Sequence, residues 1–180
     1  MALGATIYNF TVRLSHIDRG VYETLDLRLA RHPSESPEYL ATRLLAYCLE
    51  FTEGITFSKG GLSDPDEPAI LVRDLTGALK AWFEIGSPEA ARLHKASKAA
   101  PQVAVYPTRD ATPWLARLAG ERIHRADQIA VQVIDPALLA SLVQKLERRM
   151  DLDLSVSDGM LYLSIGEDTL TGSVETLDLA

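Results

Sequence analysis

Apolar and polar positions alternate through the first thirty residues. Tyr8, Phe10, Val12 and Leu14 are apolar with polar neighbours between them. Leu25, Leu27 and Leu29 resume the period of two after the turn-like segment HIDRG. Strand side chains alternate between faces, so this pattern predicts two antiparallel strands sharing one apolar face. The period then changes. Leu40, Leu44, Tyr47 and Phe51 follow helical spacing, Ser34 or Ser36 can cap, Pro37 suits a first turn and Glu38 complements the positive helix end. A helix over about 37–51 follows from these signals.

Further along, GITFSKGG predicts a short strand closed by glycines and SDPDEP a loop. AILVRDLTGALKAWFEIG predicts a β-hairpin turning at Asp74–Gly77. Gly86 breaks its second strand, and Ser87-Pro88-Glu89 opens a helix that ends near Ala100, ahead of Pro101. QVAVYP and IAVQVID are compact buried strands, with a short helix from Thr112 to Leu118 between them. DPALLASLVQKLERRM predicts an amphipathic helix capped by Asp135, with Pro136 in its first position. A second hairpin turns at Asp158-Gly159. That register sets Ser157 against Met160, Val156 against Leu161, Leu154 against Leu163 and Leu152 against Ile165, with the three apolar pairs on one face. A last strand covers about 170–177. The expected fold is α/β: a mixed β-sheet flanked by helices, with additional N- and C-terminal antiparallel strands, in a single domain over 1–180. No repeat, low-complexity tract or linker interrupts it.

Composition narrows the class. The 180 residues are 47% hydrophobic and 24% charged, with mean hydropathy +0.01, enough for a sizeable core and against global disorder. No apolar run reaches the roughly 18–20 residues of a membrane span, and MALGATIYNF has no basic region ahead of an apolar one, so neither a membrane segment nor a signal peptide is expected. The single cysteine, Cys48, falls within the helical pattern and suits a buried structural thiol in a reducing cytoplasm. Net charge is −7, which opposes non-specific attraction to nucleic acid, but the charge is uneven. From Arg92 to Arg125 there are seven Lys or Arg and two acids, a net +5 that leaves −12 elsewhere. Such a segment is either a set of solvated helix faces or a face that meets phosphates.

Glycine-rich phosphate loops and the G-x-S-x-G nucleophile turn are absent, and the four histidines (His16, His32, His94, His124) lie far apart in the chain without an H-x-x-x-H pair. Asp64-x-Asp66 and Asp151-x-Asp153 are weak metal signals. The 69–85 hairpin carries more. If Asp74 faces Gly77, Glu67 faces Glu84; a loop one residue different in length puts Asp66 there instead. Opposed side chains lie about 4.5–5.5 Å apart at Cβ, so two acids so placed call for a cation between them. Mg²⁺ is commonly held by one or two carboxylates with phosphate and water. The helix after Gly86 starts close to Glu84 and carries Arg92 and Lys95 three apart on one face, with Lys98 further along. A lysine there could orient a metal-bound water or stabilise charge on a phosphate; ordinary surface acids and dipole-complementing bases give the same pattern without function.

The segments ARHPSE with Arg43 downstream, DEP before a strand, DLTG, WFEIG and SPEAARLHKAS occur in that order, and together they resemble the YaeQ family along essentially the whole chain. The resemblance implies a variation of the restriction-endonuclease-like, PD-(D/E)XK core. It sets the first acid at Asp66 or Glu67 and the second at Glu84. The motif lysine two positions later is replaced by Gly86, and Lys95 on the next helix is the candidate substitute. Glu35 or Glu38 could be a further helix acid. Arg31, His32 and Arg43 belong to the family signature, either beside a substrate or in a structural ion pair of Arg43 with Glu38 or Glu84. Two functions follow as expectations. One is a Mg²⁺- or Mn²⁺-dependent nuclease using Glu84, Glu67 or Asp66, and Lys95, with Arg92, Lys98, Arg43 and His32 on substrate. The other is a non-catalytic nuclease-like module that binds nucleic acid or a protein partner.

Overall fold

A computed structural model describes residues 4–58 and 66–179. In chain order the elements are β1 (Thr6–His16), β2 (Val21–Arg31), α1 (Pro37–Leu49), β3 (Ile55–Phe57), β4 (Ile70–Arg73), β5 (Leu79–Ile85), α2 (Ala90–Ala99), β6 (Gln102–Tyr106), α3 (Thr112–Leu118), β7 (Ile129–Ile134), α4 (Pro136–Lys145), β8 (Arg149–Ser157), β9 (Met160–Ile165) and β10 (Asp168–Asp178). The fold is mixed α/β. The chain forms two compact units, Met1–Glu50 with Ile134–Glu175 and Phe51–Val133 with Thr176–Ala180. Each unit is assembled from separate stretches of chain, which is why no linker composition marks the boundary.

In the first unit the strands run in the order β2-β1-β8-β9-β10. β1 and β2 pair antiparallel without interruption from Thr6↔Arg31 to His16↔Val21, the pairing that the alternating pattern predicted. Phe10, Val12, Leu14, Leu25, Leu27 and Leu29 are all buried. β8 pairs with β1 in parallel, Asn9↔Arg149 through His16↔Val156, and with β9 antiparallel in the predicted register, Ser157↔Met160, Val156↔Leu161 and Leu154↔Leu163. The Asp18 carboxylate secures that turn by accepting the Asp158 and Gly159 N–H groups at 2.8 and 3.1 Å. α1 starts at the Ser36 cap, whose Oγ accepts the Tyr39 N–H at 3.1 Å. Its residues 40–49 are all buried, so it is a core helix and not a surface one. Burial pushes the Cys48 thiol up to about 12, which fits a structural thiol and not a nucleophile. α4 lies against β10 at Gly172, where a Cβ would stand 2.8 and 2.9 Å from the Cβ atoms of Asp135 and Leu138.

One expectation is corrected in this unit. The last helix ends at Lys145 and does not run on through LERRM, because Arg149 and Met150 pair with β1 and Met150 is buried opposite Phe10. Pairing with a distant strand overrides local helix propensity there. Asp151 and Asp153, only a weak metal signal in the sequence, both form ion pairs with Arg13, beside them on β1.

The second unit carries the strand order β7-β6-β5-β4-β3. β3, β4 and β5 are antiparallel, and β5, β6 and β7 are parallel. The core on one face joins Trp82, Leu93, Ala96, Ala100, Val103, Val105, Trp114, Leu118, Ile129 and Val131. α2 covers Trp82 through Leu93 and Ala96, and the Trp114 indole N–H donates to the Pro88 carbonyl at 2.7 Å, fixing the approach to α2.

Gly54 ties β3 to β4. Its carbonyl accepts the Arg73 N–H at 3.2 Å, its φ is +89°, and a Cβ there would lie 2.0 Å from the Arg73 carbonyl oxygen. Gly54→Ala is therefore expected to destabilise the protein by at least ~2 kcal/mol, measured by urea denaturation; a neutral result would mean this contact is not held.

Candidate functional site

β5 is the central element of the site, flanked by β4 and β6. Residues two apart on a strand share a face, so Trp82 and Glu84 both point to the side that α2 covers. Glu84 is 6% exposed. Its Oε1 accepts the Trp82 indole N–H at 2.6 Å and the Arg92 Nε–H at 2.8 Å. The Arg92 guanidinium lies over the Trp82 ring at 5.6 Å and also donates through Nη2 to the Glu67 backbone carbonyl at 2.8 Å. Arg92 therefore bonds the acid of one strand and the backbone of the preceding loop. One turn along α2, Lys95 pairs with Asp66 at 2.6 Å.

The expected hairpin register is corrected. Ile70 pairs with Phe83, Leu71 with Trp82 and Val72 with Ala81, followed by a bulge at Arg73↔Leu79. The turn is longer than two residues because Asp74 organises it. Its carboxylate accepts the N–H groups of Thr76 and Ala78 at 2.9 and 3.0 Å, and its own N–H donates to the Ala78 carbonyl. The offset is two residues, which preserves the face but moves the partner. Continued one step, the register sets Ala69, not Glu67 or Asp66, against Glu84. The Glu67 carboxylate instead accepts the Ser58 hydroxyl at 2.9 Å.

The convergence of α2 on Glu84 and the loop is thus as the sequence suggested, but each acid meets a donor and not a second acid. As arranged, these residues do not converge on a Mg²⁺ or Mn²⁺ site: Glu84 is buried against Arg92 and Trp82, Asp66 is exposed and pairs with Lys95, and Glu67 turns to Ser58. No group of three or more His, Cys, Asp or Glu side chains that could hold a metal occurs among the described residues. Asp64 lies outside the described residues. Burial pushes the Glu84 carboxyl above the usual carboxylate range, and the Arg92 charge and the Trp82 N–H pull it back only in part.

Of the other predicted residues, Arg43, Glu35, Arg31 and His32 belong to the first unit and Lys98 to the second. Arg43, 6% exposed, pairs with Glu35, 3% exposed, at 3.2 Å and donates to the Ala30 carbonyl at 3.1 Å. Its partner is Glu35 and not Glu38 or Glu84. Burial pushes the Glu35 carboxyl up and the Arg43 guanidinium down, as for any ion pair taken out of water. Arg31 donates to the Glu35 carbonyl at 3.0 Å, so two of the three signature residues hold the ARHPSE segment together. His32 is exposed and its Nδ1 lies 2.7 Å from the Ser34 hydroxyl. Lys98 is exposed near the end of α2. Sequence reasoning missed Trp82 and Ser58. Trp82 was within reach, since a residue two before Glu84 must share its face.

Two outcomes follow. The Glu84 carboxyl binds its proton more tightly in the folded than in the unfolded chain, so its contribution to stability is complete below about pH 4.5 and is lost as pH rises through the folded-state value. Glu84→Gln should consequently lose less stability than the wild type as pH rises above about 4.5, read from urea denaturation at several pH values; parallel curves would refute the linkage. Arg43→Met should cost roughly 3–5 kcal/mol by leaving Glu35 buried without its cation, and adding Glu35→Leu should restore most of it. A double variant no more stable than the single one would contradict the ion-pair account.

Comparison with known proteins agrees with this architecture. A family model described as "YaeQ protein" matches residues 1–174. The chain is 34% identical over 172 residues to a protein of Escherichia coli (strain K12) named "Uncharacterized protein YaeQ", covering 94% of each, and 35% identical over 172 residues to its namesake in Salmonella typhi, again covering 94% of each. Among solved structures it is similar to the YaeQ protein from Xanthomonas axonopodis pv. citri, with TM-score 0.87, 30% identity and 97% and 98% of the two chains covered. It is similar also to that from Pseudomonas syringae, with TM-score 0.86, 29% identity and 96% of each chain covered. With residues 1–174 matched by the family model and 97% of the chain matched in fold, the chain belongs to the YaeQ family.

Proposed function

We propose that the protein is a nuclease-like module that binds nucleic acid through its phosphates and does not cleave it. The observation that carries this reading is the state of Glu84. The carboxylate in the place of the motif's second acid is buried, bonded to Arg92 and Trp82, and followed by Gly86 where the motif has lysine. Lys95, the substitute lysine, is engaged with Asp66. A salt bridge thus stands where phosphodiester chemistry would need an accessible anion. Support for the PD-(D/E)XK relationship is the order of the second unit: antiparallel β3, β4 and β5, then α2, then β6 parallel to β5.

A nucleic-acid ligand is favoured over a protein by unbalanced cations. Lys98, Arg109, Arg117, Arg122 and Arg125 are exposed, and none has a carboxylate within ion-pairing distance among the described residues. All five lie in the segment of net charge +5, so the overall −7 does not describe that stretch of the chain. Phosphate neutralisation by such groups supplies sequence-independent affinity.

Fluorescence anisotropy with labelled single- and double-stranded DNA and RNA tests the reading. Saturable binding should weaken by roughly 40-fold between about 50 and about 200 mM salt if about three phosphates are neutralised. Replacing the five exposed cations by glutamine should abolish binding, and no product should form with Mg²⁺ or Mn²⁺. Metal-dependent cleavage that disappears in Glu84→Gln would reinstate the nuclease. Absent or salt-insensitive binding would leave a protein partner instead.

A further inference from the structure

The four histidines are dispersed in sequence, yet His94 and His124 meet in the second unit. Their ring centroids are 6.2 Å apart and edge to face. The His124 backbone N–H donates to His94 Nδ1 at 3.0 Å. With Nδ1 accepting, the neutral His94 ring carries its proton on Nε2, which leaves a fixed N–H donor on the opposite edge. His94 and Lys98 are four apart on α2 and so share a face. Arg125 follows His124 on the loop after α3 and sits at φ 51°, a left-handed conformation that arginine seldom adopts. That conformation is stabilised in part by the Gln128 N–H, which donates to the Arg125 carbonyl at 2.9 Å. The loop is thus fastened to α2 through an imidazole, and Arg125, the next residue, is exposed.

The charges that act on His124 are of one sign. The groups that bear on His124 are Arg125 beside it and Lys98 and His94 from α2; no carboxylate is among them. Lys98 and Arg125 are exposed, both histidines are half-buried, and neither cation has a carboxylate partner among the described residues. Like charges gathered without a counter-charge repel one another and lower the cost of binding an anion.

We propose that His94, Lys98, His124 and Arg125 form a phosphate-contact site, with the His94 Nε2–H and the Lys98 and Arg125 side chains as donors to a phosphate oxygen. This rests on the reading of the second unit as a nucleic-acid-binding module, and names the point at which that module grips the backbone. Partial burial, then the charges of Arg125, Lys98 and His94, hold the His124 imidazole below its ordinary range. An arriving phosphate reverses that field and favours the imidazolium, so binding takes up a proton and strengthens as pH falls. The one proton limits the gain to about tenfold per pH unit.

The test follows the histidine ring resonances of the full chain by NMR, with inorganic phosphate and separately with a short oligo-thymidine as probes. Both probes should shift His94 and His124 saturably, and phosphate should move the His124 titration to higher pH. Lys98→Gln with Arg125→Asn should remove the response; asparagine tolerates the left-handed conformation, so an unchanged thermal melt checks that the fold is kept. His124→Asn should flatten the pH dependence of oligonucleotide affinity between about pH 7.5 and about pH 6. Saturable shifts with phosphate in a protein that binds no oligonucleotide would support the site for small phosphates and sink the nucleic-acid reading. Oligonucleotide binding with no shift at either ring, or with a pH dependence unchanged in His124→Asn, would overturn the site and leave the nucleic-acid reading standing. Absence of any saturable shift with both probes would also overturn it.

Discussion

A carboxylate in the centre of a sheet, beneath a helix, has to be met by donors or it neutralises itself. Glu84 is in that position, and the arrangement around it follows from the requirement. Trp82, on the same face of β5, gives its indole N–H. Arg92 enters from α2, gives its Nε–H, and spreads its plane over the Trp82 ring. The same guanidinium then reaches the Glu67 carbonyl, so one side chain joins strand, helix and loop. Arginine suits this better than lysine, because its planar fork can bond in two directions and stack at once. Gly86, at φ 106°, turns the chain out of β5 and allows α2 to return over the strand it has left.

That constraint also bears on function. A metal-dependent nuclease needs carboxylates that face a shared space and can meet a cation from solution. Here the available negative charge is matched within the fold, Glu84 by Arg92 and Asp66 by Lys95. The positive charge is not matched in the same way: α2, α3 and the loop after it present Lys98, Arg117, Arg122 and Arg125 to solvent. The second unit therefore pairs Glu84 and Asp66 internally and carries exposed cations along one segment. The first unit buries its own charges too, in the Arg43–Glu35 pair that secures ARHPSE beside α1. Arg31 and Arg43 of the signature bond within that segment, and burial pushes the Glu35 carboxyl up and the Arg43 guanidinium down.

Several features were legible in the sequence because they depend on nearest neighbours or on a regular period. The alternation over Tyr8–Leu14 and Leu25–Leu29 yields β1 and β2, and Ser36-Pro37-Glu38 yields the start of α1. The Asp158-Gly159 turn fixes the β8–β9 register, since a two-residue loop leaves no freedom in pairing. The Asp74 turn shows where such reasoning fails. There a side chain bonds two backbone N–H groups, lengthens the loop and slides the register by two residues. The same limit applies to LERRM, where a partner strand more than a hundred residues away decides between helix and strand.

The sequence by itself determined the period of each element, the break at Gly86 and the proximity of a basic helix to an acid at a strand end, all consequences of local stereochemistry. Tertiary structure decided which charges meet. It paired Arg43 with Glu35, Lys95 with Asp66 and Arg92 with Glu84, and it brought His94 to His124 across thirty residues. Ion pairs and imidazole contacts depend on side-chain positions to within an ångström or so, and those positions are set only once the sheets have paired and the helices have settled on them.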